Sequence, residues 1–139
     1  MSNEDAIELS KYRFEKSATC LTTAKAMKEL GDYLSAANRT YYAIFHAIRS
    51  VLALDMVEFK RHSGNISYFR QNYIKTGIFD IELSEVLSLA SEIRNSSDYD
   101  DFYVISKEEV DAQIKNSEAF SRDIEEYLKK RYETIRDGE

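Results

Sequence analysis

The sequence predicts an all-α protein: an up-and-down four-helix bundle with one additional short helix. Three observations carry this. The 139 residues include no Pro and only four Gly, too few chain-turning residues for a sandwich or a barrel. Apolar side chains recur at three- and four-residue spacing over long stretches. The breaks between those stretches are short, so successive helices pack as antiparallel neighbours. With 43% hydrophobic residues, ten Tyr and seven Phe, the chain can bury a core and is not disordered. One domain is expected over residues 1–139, with its core at about residues 7–128.

The first helix spans about Asn3 to Glu29, with Ile7, Phe14, Ala18, Leu21 and Ala24 at helical spacing. Gly31 ends it, and Asp32 is a candidate cap for the next helix, roughly Tyr33 to Leu54. Residues 55–62 read as a connection, and Ser63 as the cap of a short helix reaching about Tyr73. Gly77 breaks the chain again. Asp80 opens a fourth long-period segment whose inward face holds Leu83, Val86, Leu87, Ala90 and Ile93. Residues 95–105 depart from the pattern and read as a connection. Ser106 and Glu109 then form a capping box for a last helix reaching about Tyr132, with Val110, Ile114, Phe120, Ile124 and Leu128 inward.

Three faces appear on the second helix at 100° per residue. Tyr41, Ile44, Ile48 and Leu52 form a bulky stripe. Ala36, Thr40, Ala43, Ala47 and Ser50 form a stripe of small side chains that admits another helix closely. Arg39, Tyr42, His46 and Arg49 form a polar and aromatic stripe. Such a helix is expected at the centre of the bundle or at a subunit interface.

Composition narrows the function classes. The chain carries a net charge of −6, which argues against a general nucleic-acid binder. The charge is uneven: residues 1–75 hold 11 basic and 8 acidic residues, and residues 76–139 hold 8 basic and 17 acidic. A polyanion is therefore expected to meet the first half. The single cysteine, Cys20, fits a reducing compartment and a small core residue. No apolar run spans a membrane and the N-terminus is too charged for a signal peptide, so a cytoplasmic protein without a membrane partner is expected. Phosphate loops, GxSxG, HExxH and zinc-spaced cysteine pairs are absent. Asp98, Asp100 and Asp101 lack the spacing of a calcium loop. Neither a metal nor a cofactor is expected.

Arg94 stands out because it continues the apolar sector of Leu83, Leu87 and Ala90. A guanidinium there must snorkel, pair with a carboxylate or face a cleft; composition alone favours a cation interacting with the helix C-terminus and pairing with Asp98. His46 reads either as a hydrogen-bonded interior histidine or as part of a cleft with Tyr42. His62, in a basic connection, reads either as a solvated loop residue or as a phosphate contact.

Three segments together carry a family resemblance. They are Tyr41-Tyr42-Ala43-Ile44-Phe45-His46-Ala47-Ile48-Arg49, Phe59-Lys60-Arg61-His62-Ser63-Gly64 and Arg94-Asn95-Ser96-Ser97-Asp98-Tyr99. In this order they resemble the HEPN family (higher eukaryotes and prokaryotes nucleotide-binding domain), and in particular its small stand-alone prokaryotic branch. The resemblance covers roughly residues 7–128. It implies a helical bundle that forms a homodimer around a polar cleft binding RNA or a nucleotide. It further implies a metal-independent ribonuclease acting as a toxin or defence effector, paired with a minimal nucleotidyltransferase as antitoxin. The family signature is an Arg, a polar residue, a few further residues and a His. Arg94 and Asn95 match its start, whereas Tyr99 stands where a His is expected.

That departure bears on chemistry. RNA cleavage without metal needs a base for the 2′-hydroxyl, an acid for the leaving 5′-oxygen and a cation for the phosphorane. Arg94 supplies the cation. Tyr99 is a poor base at its ordinary pKa near 10 but donates a proton or stacks on a base, and Asp98 is an alternative base. Catalytic roles are thus expected for Arg94, Tyr99 and Asp98, with Asn95, Tyr42, His46 and His62 as RNA or nucleotide contacts. The alternative is a non-catalytic dimeric module, binding a nucleotide or a protein, that has lost the catalytic His. Whether the chain is an enzyme stays open at this point.

Overall fold

A computed structural model describes residues 1–138. It contains five helices and, among these residues, no strand: α1 (Asn3–Glu29), α2 (Tyr33–Leu54), α3 (His62–Phe69), α4 (Ile81–Tyr99) and α5 (Lys107–Asp137). A π-helical segment, Arg70–Ile74, continues α3. The first two helices have the expected bounds, divided by Gly31 at φ 81° and started by the Asp32 carboxylate, which accepts from the Ser35 amide. No described helix is long and apolar enough to cross a membrane.

The second helix is central, packed against every other helix. Its bulky stripe (Tyr41, Ile44, Ile48, Leu52) joins Phe69, Leu87 and Phe120 in the main core. A smaller cluster around Ala24, Ile93 and Ile114 closes the other end. The small-residue stripe is fully buried against α1 within the single chain; Ser17 Oγ donates to the Ala43 carbonyl at 2.5 Å. That close approach explains the stripe, which therefore offers no argument for a second copy.

Several boundaries differ from the sequence reading, each for a polar reason. The inward face of α1 includes Ser10, Arg13 and Ser17, while Ala18 is exposed. Ser10 bonds the Tyr132 hydroxyl at 2.7 Å, and Arg13 reaches Glu58 at 2.7 Å. Hydrogen-bonded polar groups thus fill positions that hydropathy assigns elsewhere. The third helix starts at His62 with Arg61 as its N-cap, and Ser63 caps nothing. What fixes this start is Asn65, whose Nδ2 donates to the carbonyls of Phe59 and Arg61. The fourth helix continues through Tyr99 instead of ending near Arg94. Ser97 Oγ donates to the Ile93 carbonyl, and Arg94 faces Asp98 one turn on, so polar contacts extend the helix where apolar periodicity stops. The last helix likewise runs past Tyr132, tied back by Arg136 to Glu4 at 3.2 Å.

The Ser106 capping box forms as expected. The Glu109 amide donates to Ser106 Oγ at 3.1 Å, and the Ser106 amide donates to Glu109 Oε1 at 3.3 Å. Replacing Ser106 by Ala is expected to lower stability by about 1 kcal/mol. An unchanged urea midpoint would show that the cap contributes nothing.

Candidate functional site

The α2 polar stripe, the first turn of α3 and the last turns of α4 meet on one side of the bundle. Their centre is Arg94. Its side chain is 26% exposed, and its guanidinium carbon lies 4.8 Å from the centre of the Tyr41 ring and 5.5 Å from that of Tyr42. Asp98 Oδ2 is 3.6 Å from Nε, within ionic reach but beyond a hydrogen bond, and Nε is sealed from solvent without another partner. Arg94 is therefore held mainly by aromatic faces, which stabilise a guanidinium without neutralising it.

Beside Arg94 stands His62. Its Nδ1 is 3.2 Å from an Arg94 terminal nitrogen and 3.0 Å from the Tyr41 hydroxyl. The imidazole stacks on Phe45 at 3.9 Å between ring centres. Burial, reinforced by the charges of Arg94 and Arg49, moves its pKa below the usual histidine value. The lowered pKa favours the neutral imidazole, whose Nδ1 accepts from Arg94.

The rest of the stripe is cationic and half-buried. Tyr42 is flanked by the guanidiniums of Arg39, at 4.9 Å, and Arg94. His46 is pushed down to about 4, first by burial and then by Lys16, Arg49, Arg39 and His62. Its Nδ1 is buried and unpaired. It lies beside Tyr42 and Phe45, not against Arg94.

The structure therefore brings together Arg94, Asp98, His62 and Tyr42, with His46 behind them. Asn95 is exposed on the next position of α4. Tyr99 is apart: it closes α4 at 87% exposure, five residues and so about 140° around the helix from Arg94. Tyr41, read from the sequence as part of the bulky stripe, and Phe45, given no role there, prove to be the seat of the Arg94–His62 pair. No periodicity connects residues 62 and 94, which lie on different elements; only their presence in segments sharing one family resemblance hints at it. Among the described residues no group of three or more His, Cys, Asp or Glu is arranged to hold a metal ion. Cys20 is buried and its thiol pKa is raised by burial, the opposite of an activated nucleophile.

Comparison with known proteins finds relatives over most of the chain. The HEPN domain matches residues 10–127. A UPF0332 protein of Thermotoga maritima is 29% identical over 121 residues, which cover 87% of this chain and 92% of that protein. A protein of Methanocaldococcus jannaschii named "Putative toxin" is 31% identical over 121 residues, covering 87% of this chain and 82% of its own length. Another protein of that organism, named in the same way, is 28% identical over 127 residues, covering 91% and 94%.

Proposed function

This chain belongs to the HEPN domain family, and from that premise we propose that it is a toxin-type ribonuclease cleaving RNA without a metal ion. The observation that carries the reading is the approach of Arg94 to His62 at 3.2 Å. The chain lacks a histidine after Arg94, and a histidine from another element stands beside that arginine instead.

The roles follow from the geometry. In the contact as it stands Arg94 donates to Nδ1 of His62; when Arg94 turns to the scissile phosphate, the imidazole takes the tautomer with its Nδ1–H toward the Tyr41 oxygen, which leaves Nε2 as the base. It takes the proton of the 2′-hydroxyl; the 2′-oxygen attacks phosphorus and the 5′-oxygen leaves with a proton, giving a 2′,3′-cyclic phosphate. Arg94 balances the added negative charge of the phosphorane, and Asp98 keeps its guanidinium aligned. In the homodimer that family membership supports, two such pairs share the cleft, and the leaving oxygen takes its proton from solvent water. Asn95 contacts the strand, and the exposed Tyr99 ring stacks on a base instead of moving protons. His46 and Tyr42 line the cleft floor. A toxin requires an antitoxin; the names of two relatives support such a pairing, for which a minimal nucleotidyltransferase is the proposed partner.

The second reading, a non-catalytic interaction module, is favoured by one feature: Tyr99, Phe102 and Val104 expose large apolar surfaces beside the acidic Asp98, Asp100 and Asp101. A single-stranded RNA assay in excess chelator separates the two. Wild type is expected to yield cyclic-phosphate ends. Because His62 must be unprotonated to act as base and its pKa is lowered, the rate should rise with pH below 6.5 and be level from pH 7 to 8. Strict dependence on added Mg²⁺, or a rate still climbing above pH 8, would refute the His62 mechanism.

A further inference from the structure

On the side of His62 away from the centre of the Arg94 site, the α2–α3 connection encloses a groove of about 460 Å³, lined by Phe45, Arg49, Glu58, Phe59, Lys60, His62 and Asn65. We propose that this groove is a nucleotide-binding subsite, taking the base and phosphate of one residue of an RNA strand next to the bond that is cut. The proposal rests on the ribonuclease reading for its orientation, but its own support is separate.

The volume lies in the ~300–1,000 Å³ range of small-molecule pockets. Its walls divide by chemistry. Phe59 offers an exposed ring face, 37% accessible, braced from behind by Tyr68 at 5.6 Å between ring centres. A base stacks on such a ring whatever its identity. Lys60 and Arg49 provide cations for the phosphate, and Lys60 is exposed to solvent. The one carboxylate, Glu58, does not repel an anion as it would alone. Its Oε1 accepts from Arg13 at 2.7 Å and from Arg49 at 3.0 Å, so two guanidiniums outweigh it. Arg13 also donates to the Arg49 carbonyl, which fixes that wall to α1.

The groove is also built to hold its shape. Asn65 is 4% exposed and clamps the carbonyls of Phe59 and Arg61, as described above. Phe59 sits directly over Gly64, where an added Cβ would come within 3.0 Å of Phe59 Cβ. Glycine at this position lets the ring lie against α3, and any larger residue displaces it. Since His62 forms both the groove wall and the proposed base, a nucleotide seated here sits beside the reacting 2′-hydroxyl or its phosphate.

The test uses full-length protein and two non-cleavable probes: a 2′-O-methyl RNA hexamer, and AMP to detect a free nucleotide. Titration calorimetry should show the hexamer binding more tightly than AMP, as expected of a strand subsite. Phe59→Ala should weaken hexamer binding and raise the KM for RNA about tenfold or more with kcat little changed. Lys60→Ala, at an exposed site where folding is not at issue, should weaken binding and lower the slope of log affinity against log salt by about 0.7. Wild-type affinity, KM and salt slope in both variants would overturn the proposal. AMP bound as tightly as the hexamer would overturn the strand assignment in favour of a free nucleotide. Phe59-dependent binding by a protein that cleaves nothing would uphold the groove and remove the ribonuclease reading. Cleavage with a KM indifferent to both substitutions would do the reverse.

Discussion

Arg94→Ala is expected to lower metal-free RNA cleavage about 10²- to 10³-fold, the usual loss when a donor that meets transition-state charge is removed. Stability should move far less. The side chain packs on Tyr41 and Tyr42 and faces Asp98, which is 45% exposed on its side chain. A cation–π contact of this kind contributes roughly 0.5–2 kcal/mol, and a partly exposed ion pair at 3.6 Å adds little. Asp98 loses no buried countercharge, so the 3–5 kcal/mol cost of breaking a buried pair does not apply. Arg94→Lys should fall between wild type and Ala, because it keeps the charge but loses the planar fork that lies over two rings and meets a phosphate in two places. Cleavage rates and urea midpoints measured on the same preparations decide the matter. Cleavage at the wild-type rate in Arg94→Ala would remove this residue from the mechanism. A loss of several kcal/mol would make it a structural brace instead.

What the sequence revealed, and what it hid, follow one physical division. Apolar periodicity and backbone-capping chemistry are local, so the bounds of α1 and α2, the Asp32 and Ser106 caps and the apolar positions on the inward face of α5 were legible. Polar contacts that join distant segments were not. Nothing at Ser97 or Asp98 announces that they carry α4 one more turn, and nothing at Asn65 announces that it starts α3 early. Ser10, Arg13 and Ser17 face inward because partners on α2, α5 and the α2–α3 connection satisfy them. Residues of the site divide in the same way. Arg94 was visible as a cation on an apolar sector, and the α2 stripe of Arg39, Tyr42 and His46 as a polar face on a buried helix. Its approach to His62 was invisible, because it depends on how a loop folds over α2. The emphasis placed on Tyr99 came from counting along the family signature, and the helix carries that side chain away from its own Arg94.

Asp55→Ala is expected to destabilise the protein by about 3 kcal/mol. This carboxylate ends α2 and is 18% exposed on its side chain. It accepts from the hydroxyls of Tyr73, at 2.5 Å, and Tyr68, at 3.1 Å, and from Arg131 at 3.2 Å. Arg131 also donates to the hydroxyls of Tyr127, at 2.6 Å, and Tyr73, at 3.4 Å. One carboxylate therefore fastens α2, the α3–π segment and α5 together. Burial, aided by Asp55, drives the Tyr73 hydroxyl well above its usual pKa, so it stays protonated and donating. Burial opposes the charge on Arg131, but its hydrogen bonds to Tyr73, Tyr127 and Asp55 outweigh it and hold the group cationic. Removing Asp55 leaves that cation and the buried Tyr73 hydroxyl short of an acceptor, and such orphaned groups cost about 1–3 kcal/mol each. Asp55→Asn keeps an acceptor oxygen and should lose roughly half as much. Combining Asp55→Ala with Arg131→Leu should restore part of the loss, since the double variant no longer isolates a charge. Additive losses in that cycle would show the two residues acting independently, and an unfolding midpoint unmoved by Asp55→Ala would show that the network does not hold the bundle. Arg94 and its aromatic seat lie outside the network, so cleavage per folded molecule should stay close to wild type even where stability falls.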